Sequence, residues 1–247
     1  MLVRQAANVL QILEYFAERL RPASAAEIAD DLGWPRSSTF KIVGTLAAKG
    51  YLYEPQGRGS YYPSRRWLEL SEVISRADPL PAELHRLVQE VRAATGETTG
   101  IAALAGVHAM FVDVAESLQP VRYFARVGDR VPIHASSAGR ALLAQMSAEE
   151  RAGLYRKIDF HAYSSTTPLS PERVEAELIA AAERGYHQSN AEYTPDLAGV
   201  ALPVTGLDRR LSVVVVGPVS RCLERRPAMA ATLAEHLRAL RLGPGTR

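Results

Sequence analysis

The 247-residue chain has a single cysteine, Cys222. That excludes a disulfide within the chain and any cysteine-built zinc cluster. A reducing compartment, the cytoplasm, fits such a sequence. No apolar run approaches the ~18 residues of a membrane-spanning helix. The start, Met1-Leu-Val-Arg-Gln-Ala-Ala-Asn, has no signal-peptide layout, so no membrane partner is expected. The six histidines (His85, His108, His134, His161, His187 and His236) fall into no His-x-His or His-Glu-x-x-His spacing. No metal is expected, although the fold could still assemble a site. Gly-rich loops of the Walker and dinucleotide types are missing, and so is a Gly-x-Ser-x-Gly elbow. No cofactor and no catalytic residue are therefore expected. A dominant charge is lacking too, because 29 basic and 27 acidic residues leave only +2. Bulk charge is thus silent about nucleic acid.

The distribution of charge is not silent. Between Pro35 and Arg66 lie Arg36, Lys41, Lys49, Arg58, Arg65 and Arg66, with Glu54 the only acid. The segment carries +5 and the remainder −3. One basic segment on a mildly acidic chain is a footprint for phosphate binding, although a solvated face would look the same.

The pattern of elements around that segment is more specific. Ala6, Val9, Leu10, Leu13, Phe16, Ala17 and Leu20 recur at helical steps and predict a helix over 4–20. Ser24 with Glu27 forms a capping-box signature for a second helix. Gly33-Trp34-Pro35 breaks it. A third helix is predicted from Arg36 or Ser37 to about Lys49, followed by a short ribbon, Tyr51 to Tyr53 and Ser60 to Tyr62, around Pro55-Gln-Gly-Arg-Gly. Two helices joined by a tight turn and followed by a hairpin make a winged helix-turn-helix. Candidate DNA contacts are Arg36, Ser37, Ser38, Thr39, Lys41 and Thr45 on the third helix, with Arg58 and Tyr61 on the wing and Arg65 behind it. Hydroxyls and amides there suit phosphates, Arg36 or Lys41 can reach guanine edges, and Arg58 suits a narrow minor groove.

A linker helix is predicted over 65–78, ending at Asp78-Pro79, where the domain boundary is placed. Residues 79–247 then read as mixed α/β. They comprise a helix to Thr95-Gly96, a hairpin about Ala105-Gly106, a strand over 121–125 and helices over 137–146, 148–155 and 170–184. A second hairpin follows about Gly206, and a final helix is headed by Cys222. At a helix start Cys222 could favour a thiolate or be a plain small residue. The fold class is α+β.

The chain resembles the IclR-type bacterial transcription regulators over nearly its full length. Ala-Asn-Val-Leu-Gln-Ile-Leu at 7–13, Ala-Glu-Ile-Ala at 26–29, Gly-Trp-Pro-Arg-Ser-Ser at 33–38 and Leu-Ala-Ala-Lys-Gly-Tyr-Leu at 46–52 carry the N-terminal likeness. Residues 127–144, from Val-Gly-Asp-Arg-Val to Arg-Ala-Leu-Leu-Ala, are similar to the family's effector-domain signature. Arg-Gly-Tyr at 184–186, Glu192, Val-Ala-Leu-Pro-Val at 200–204 and Val-Gly-Pro-Val-Ser-Arg at 216–221 follow in order. The resemblance implies a DNA-binding domain over 1–64, the linker helix, and a GAF-like effector and oligomerisation domain. It implies operator DNA, a small organic acid or aromatic effector, and a second copy of the chain, as a dimer or dimer of dimers, as partners.

The effector-site candidates it implies are Ile133, Ser136, Ser137, Ala138, Gly139, Ser189, Glu192, Gly199, Val214 and Val216. Relatives that bind small carboxylates often carry polar or thiol groups at positions matching Ser189, Gly199, Val214 and Val216. Three of these four are Gly or Val here. An unpaired buried carboxylate oxygen costs about 1–3 kcal/mol, so a more apolar pocket for an aromatic or larger effector is expected. Asp196 stands where relatives often have glycine. The competing readings are a small-molecule hydrolase or transferase with an appended helical domain, and a metabolite-binding adaptor without DNA affinity. The basic segment and wing are what neither needs.

Overall fold

The computed structural model describes residues 3–55, 57–77 and 80–240. Gln56 of the wing turn and the expected boundary at Asp78-Pro79 lie outside the described residues. The chain separates into two compact units, Met1–Pro79 and Leu80–Arg247.

The first unit opens with α1 (Arg4–Arg19), whose buried stripe is Ile12 and Phe16, four residues apart. A two-residue strand, β1 (Ala23–Ser24), leads into α2 (Ala25–Leu32). The capping box forms as predicted: the Glu27 amide donates to Ser24 Oγ at 3.2 Å and the Ser24 amide to Glu27 Oε2 at 2.8 Å. The turn Gly33-Trp34-Pro35 precedes α3 (Arg36–Ala48). β2 (Leu52–Tyr53) and β3 (Ser60–Pro63) pair antiparallel, Tyr53 opposite Tyr62. β1 pairs with β3, Ala23 opposite Tyr61. Two residues carry no periodicity, so β1 is invisible in the sequence. α4 (Arg66–Ala77) follows. Ile12, Phe16, Ile28, Val43, Leu46 and Leu52 form the core, and Trp67 packs on it. The Trp67 indole donates to the Tyr51 carbonyl at 2.9 Å, fixing the start of α4 to the wing.

The second unit begins with α5 (Ala82–Thr95), then the hairpin β4 (Thr98–Ala105) and β5 (His108–Ala115). Next come β6 (Arg130–Pro132), α6 (Ser137–Leu143), α7 (Ala148–Tyr155) and α8 (Pro171–Arg184). β7 (His187–Asn190), β8 (Leu197–Val204), β9 (Leu211–Pro218), α9 (Val219–Cys222) and α10 (Arg226–Ala239) complete it. The strands form one antiparallel sheet in the order β6-β5-β4-β9-β8-β7. Successive side chains point to opposite faces. Ile101, Val200, Val213 and Val215 pack against Leu84, Leu87 and Val88 of α5 and Met229 and Leu233 of α10. Ala102, Phe111, Ala201 and Val214 pack on the other face with Ala138, Ala141 and Leu142 of α6 and Val174 of α8.

Three expectations are corrected. Residues 121–125 form no strand. Val121 is 69% and Phe124 52% exposed, and the carbonyls of Val121 and Tyr123 accept from Arg221 and from Thr98 Oγ1 instead of from a neighbouring strand. The edge beside β5 is taken by β6. The helix expected over 137–146 ends at Leu143. Cys222 heads no long helix; it is buried in the four-residue α9, and α10 starts at Arg226. Burial, with the Glu97 carboxylate adding to it, pushes its thiol up to about 12, so the thiolate reading fails.

Candidate DNA-reading helix and effector pocket

On α3, Arg36, Ser37, Ser38, Lys41 and Thr45 are exposed, as expected. Thr39 is not. It is 0% exposed and its hydroxyl donates to the Pro35 carbonyl at 3.1 Å. Thr39 is a core residue of the stripe it shares with Val43 and Leu46, and cannot reach DNA from an intact helix. Phe40, which pattern reading gave no role, is 56% exposed beside Lys41. Arg36 is held by Asp30 through Nη2 at 2.9 and 3.2 Å, so its reach toward DNA competes with that pair. Thr45 Oγ1 donates to the Lys41 carbonyl and Ser38 Oγ to that of Pro35, leaving both oxygens as acceptors. Arg58 and Arg65 are exposed, while Tyr61 is half-buried in β3. Burial and the Glu54 carboxylate hold the Tyr61 phenol protonated above its usual range. Glu54 Oε1 also accepts from the Gly59 amide at 2.9 Å and ties the base of the wing loop.

In the second unit, a cleft of about 420 Å³, part of it open to solvent, lies between the sheet and the start of α6. Two close approaches build it. A Cβ on Gly139 would overlap the Ile133 carbonyl, so only glycine lets α6 pack on that segment. A Cβ on Gly199 would come within 2.9 Å of Val216 Cγ2 and 3.2 Å of Ser137 Oγ. Register then aligns Ser189, Gly199 and Val216 in one row across β7, β8 and β9. Ser136 caps α6, its Oγ accepting from the Gly139 amide at 3.1 Å and donating to the Pro132 carbonyl at 2.8 Å. At seven residues α6 is short, and its dipole contributes little to anion binding.

Of the ten candidates, Ser136, Ser137, Ala138, Ser189, Glu192, Val214 and Val216 line the cleft. Ile133, Gly139 and Gly199 stand behind its wall as packing positions. Sequence reading missed Phe111, Tyr123, Val131, Ala135, Tyr193, Thr194 and Leu197. It also missed Arg140, which is 1% exposed on α6. The Arg140 guanidinium donates to Glu192 Oε2 at 2.6 Å, to the His134 carbonyl at 2.9 Å and to the Gln188 carbonyl. Glu192 is therefore already paired, and among the described residues no Lys, Arg or His lines the cleft. The hydroxyls of Ser137 and Ser189 have no partner among the described residues. Burial pushes the Tyr123 phenol up to about 12, with Asp129 adding to the effect, and keeps it a donor. Asp196 takes φ +64, the left-handed conformation that glycine adopts freely and Asp tolerates.

A solvent-facing helix-turn-helix with a wing, followed by a mixed α/β unit with an aromatic-lined cleft, defines a two-unit transcription regulator. Residues 5–55 match the IclR helix-turn-helix domain, and residues 72–241 match the bacterial transcriptional regulator IclR C-terminal domain. The chain belongs to the IclR family of bacterial transcriptional regulators, and its activity is DNA-binding control of transcription. It is 27% identical over 221 residues to the transcriptional repressor IclR of Escherichia coli K12, covering 88% of this chain and 81% of that one. The IclR crystal structure from Thermotoga maritima has a TM-score of 0.77 at 20% identity, covering 95% and 96% of the two chains. An IclR homologue from Microbacterium hydrocarbonoxydans, complexed with 4-hydroxybenzoate, has a TM-score of 0.69 at 24% identity, covering 96% and 100%.

Proposed function

We propose that the protein binds operator DNA through the exposed face of α3, with Ser37, Lys41 and Arg58 the main contacts. A neutral or weakly acidic aromatic effector in the second unit modulates that binding. One observation carries the effector reading: the cleft, about 420 Å³ with its open-solvent part included, is lined by Phe111, Tyr123, Tyr193, Val214 and Val216 and offers hydroxyls but no cation among the described residues. A ring stacks and buries there, whereas a short, highly charged acid has no charge partner. The homologue complexed with 4-hydroxybenzoate shares this fold, which supports an aromatic ligand as the class of effector.

The chain works as a regulator and not as an enzyme. Ser136 is engaged as a cap, and the ring nitrogens of His134 bond to no described group, so these two neighbours form no serine–histidine pair that could activate a nucleophile. The functional boundaries follow as a DNA-binding domain over 1–64, a linker helix over 65–78 and an effector domain over 79–247. The two compact units support the boundary near residue 79 alone; the linker falls within the first unit, where Trp67 joins its start to the core. A regulator of this kind works beside the chromosome, in the cytoplasm.

Melting temperature and operator gel shifts, measured with the same ligand set, test the proposal. Phenols and hydroxybenzoates are expected to raise Tm in proportion to log concentration above Kd and to change operator retention. A set in which only short polar acids do so overturns the aromatic reading.

A further inference from the structure

The exposed face of α3 is a narrow platform, and Arg36 on it is already engaged by Asp30. Beside that face, between α1 and α3, the surface opens into a cleft of about 730 Å³, part of it open solvent. Arg4, Gln5 and Asn8 of α1, Trp34 of the turn, and Ser38 and Lys41 of α3 supply its polar groups. Every one carries a hydrogen-bond donor, that of Ser38 being spent on the Pro35 carbonyl, and no described acid lines the cleft. Two are cations, two are amides, one is an indole and one a hydroxyl. The side chains of Arg4, Gln5, Asn8 and Lys41 and the Trp34 indole N–H make no hydrogen bond or ion pair with any described residue. The carboxylates of α2 do not quench them: Asp30 is held by Arg36, Asp31 by Arg19 and Tyr15, and Glu27 by Arg19 and the Ser24 amide. A surface with this many unused donors and two unpaired cations suits a monoanion with several acceptor oxygens. The cleft shares Ser38 and Lys41 with the DNA-facing side of α3, so the anion at hand is a phosphodiester at the edge of the major groove.

We propose that this cleft is a second DNA contact, which grips the sugar–phosphate backbone flanking the groove that α3 enters. Arg4 and Lys41 neutralise phosphate charge. Gln5, Asn8 and the Trp34 indole donate to phosphate oxygens. Such contacts carry no base information; they fix the depth and register of α3. The inference rests on the DNA-reading role of α3 given above.

Full-length wild type, Arg4→Ala, Gln5→Ala and Trp34→Phe are titrated against operator and scrambled duplexes at several salt concentrations. Arg4 and Gln5 are exposed, so their variants should keep the wild-type Tm. Arg4→Ala is expected to weaken both duplexes by about five- to thirtyfold and to make log K against log salt shallower by about one per protomer bound. Gln5→Ala and Trp34→Phe are expected to weaken both by about two- to tenfold with an unchanged slope, because neither removes a charge. The ratio of operator to scrambled affinity should stay constant. Wild-type affinity and slope in Arg4→Ala and Gln5→Ala, with wild type binding DNA normally, overturn this inference alone. So does a loss confined to the operator. Failure of wild type to bind any duplex overturns both this inference and the DNA role of α3.

Discussion

Thr39 and Lys41 sit two residues apart on one helix and have opposite roles. Thr39 is 0% exposed and its hydroxyl caps the Pro35 carbonyl, which the Ser38 hydroxyl and the Thr39 amide also reach. Removing the Thr39 hydroxyl leaves that carbonyl satisfied. Thr39→Val is expected to cost about 1 kcal/mol of stability or less and to leave operator affinity within about twofold of wild type, as Tm and fluorescence anisotropy will report. Lys41 is exposed and has no ion-pair partner among the described residues. Lys41→Ala should leave Tm unchanged, weaken DNA binding by about five- to twentyfold and reduce the salt slope by about one per protomer. The difference was legible in the sequence, since 39, 43 and 46 follow one apolar stripe at steps of four and three. Grouping Thr39 with its hydroxyl-bearing neighbours hid that spacing. Arg140 was not legible. A buried arginine is sensible only where Glu192 and two carbonyls meet it, and Glu192 lies 52 positions away.

Between elements, the segment joining β6 to α6 and the strand β7 each bury a histidine. His134 packs its ring 5.1 Å from Phe160 and 6.2 Å from Tyr163, and neither ring nitrogen has a partner among the described residues. His187 is buried, and its Nδ1 has no partner among the described residues. Burial lowers both from 6.5 to about 4. Arg140 adds to each, His108 to His134 and Arg184 to His187, while Asp159 opposes the shift at His134. Both rings are neutral in the folded protein at neutral pH. The unfolded chain binds the extra protons first, so stability is complete above about pH 6.5 and falls as pH drops toward 4. The loss is on the order of 2–3 kcal/mol per histidine at the acid end. His134→Phe keeps an aromatic ring among its neighbours and removes the titration. Its Tm between pH 4 and 7 should fall distinctly less than that of wild type, and a parallel decline refutes the assignment. At this scale the sequence was most readable where alternation met a glycine turn, as in the two hairpins of the sheet. It failed where pairing depended on distant partners. The four-residue β7 is one such case, and residues 121–125 are another, β-rich in composition but hydrogen-bonded through side chains. The same reason hid Phe111, Tyr123 and Tyr193 from the site, because sheet register and loop packing, not local spacing, bring them to α6.

For the whole molecule, the question is how a small reading surface becomes selective. One helix and one wing reach only a few base pairs, and half-site recognition of that size needs a second copy at fixed spacing. On α4, Leu70, Val73 and Ile74 follow steps of three and four and so share a face, and Val73 and Ile74 are each 65% exposed. Apolar side chains this open contribute little to the fold of their own chain and are suited to burial against another. We expect the protein to run as a dimer or larger species and Val73→Asp/Ile74→Asp to shift it toward monomer in sedimentation. Because both positions are exposed, the monomer's own fold should be kept, and Tm should fall only by what self-association adds to the wild type. Affinity for a duplex carrying two half-sites should then fall more than tenfold, toward that for a duplex carrying one, since the second contact is no longer delivered by the first. A double variant that stays dimeric would place the self-contact elsewhere. One that becomes monomeric yet keeps full affinity for the paired site would remove the need for two copies altogether.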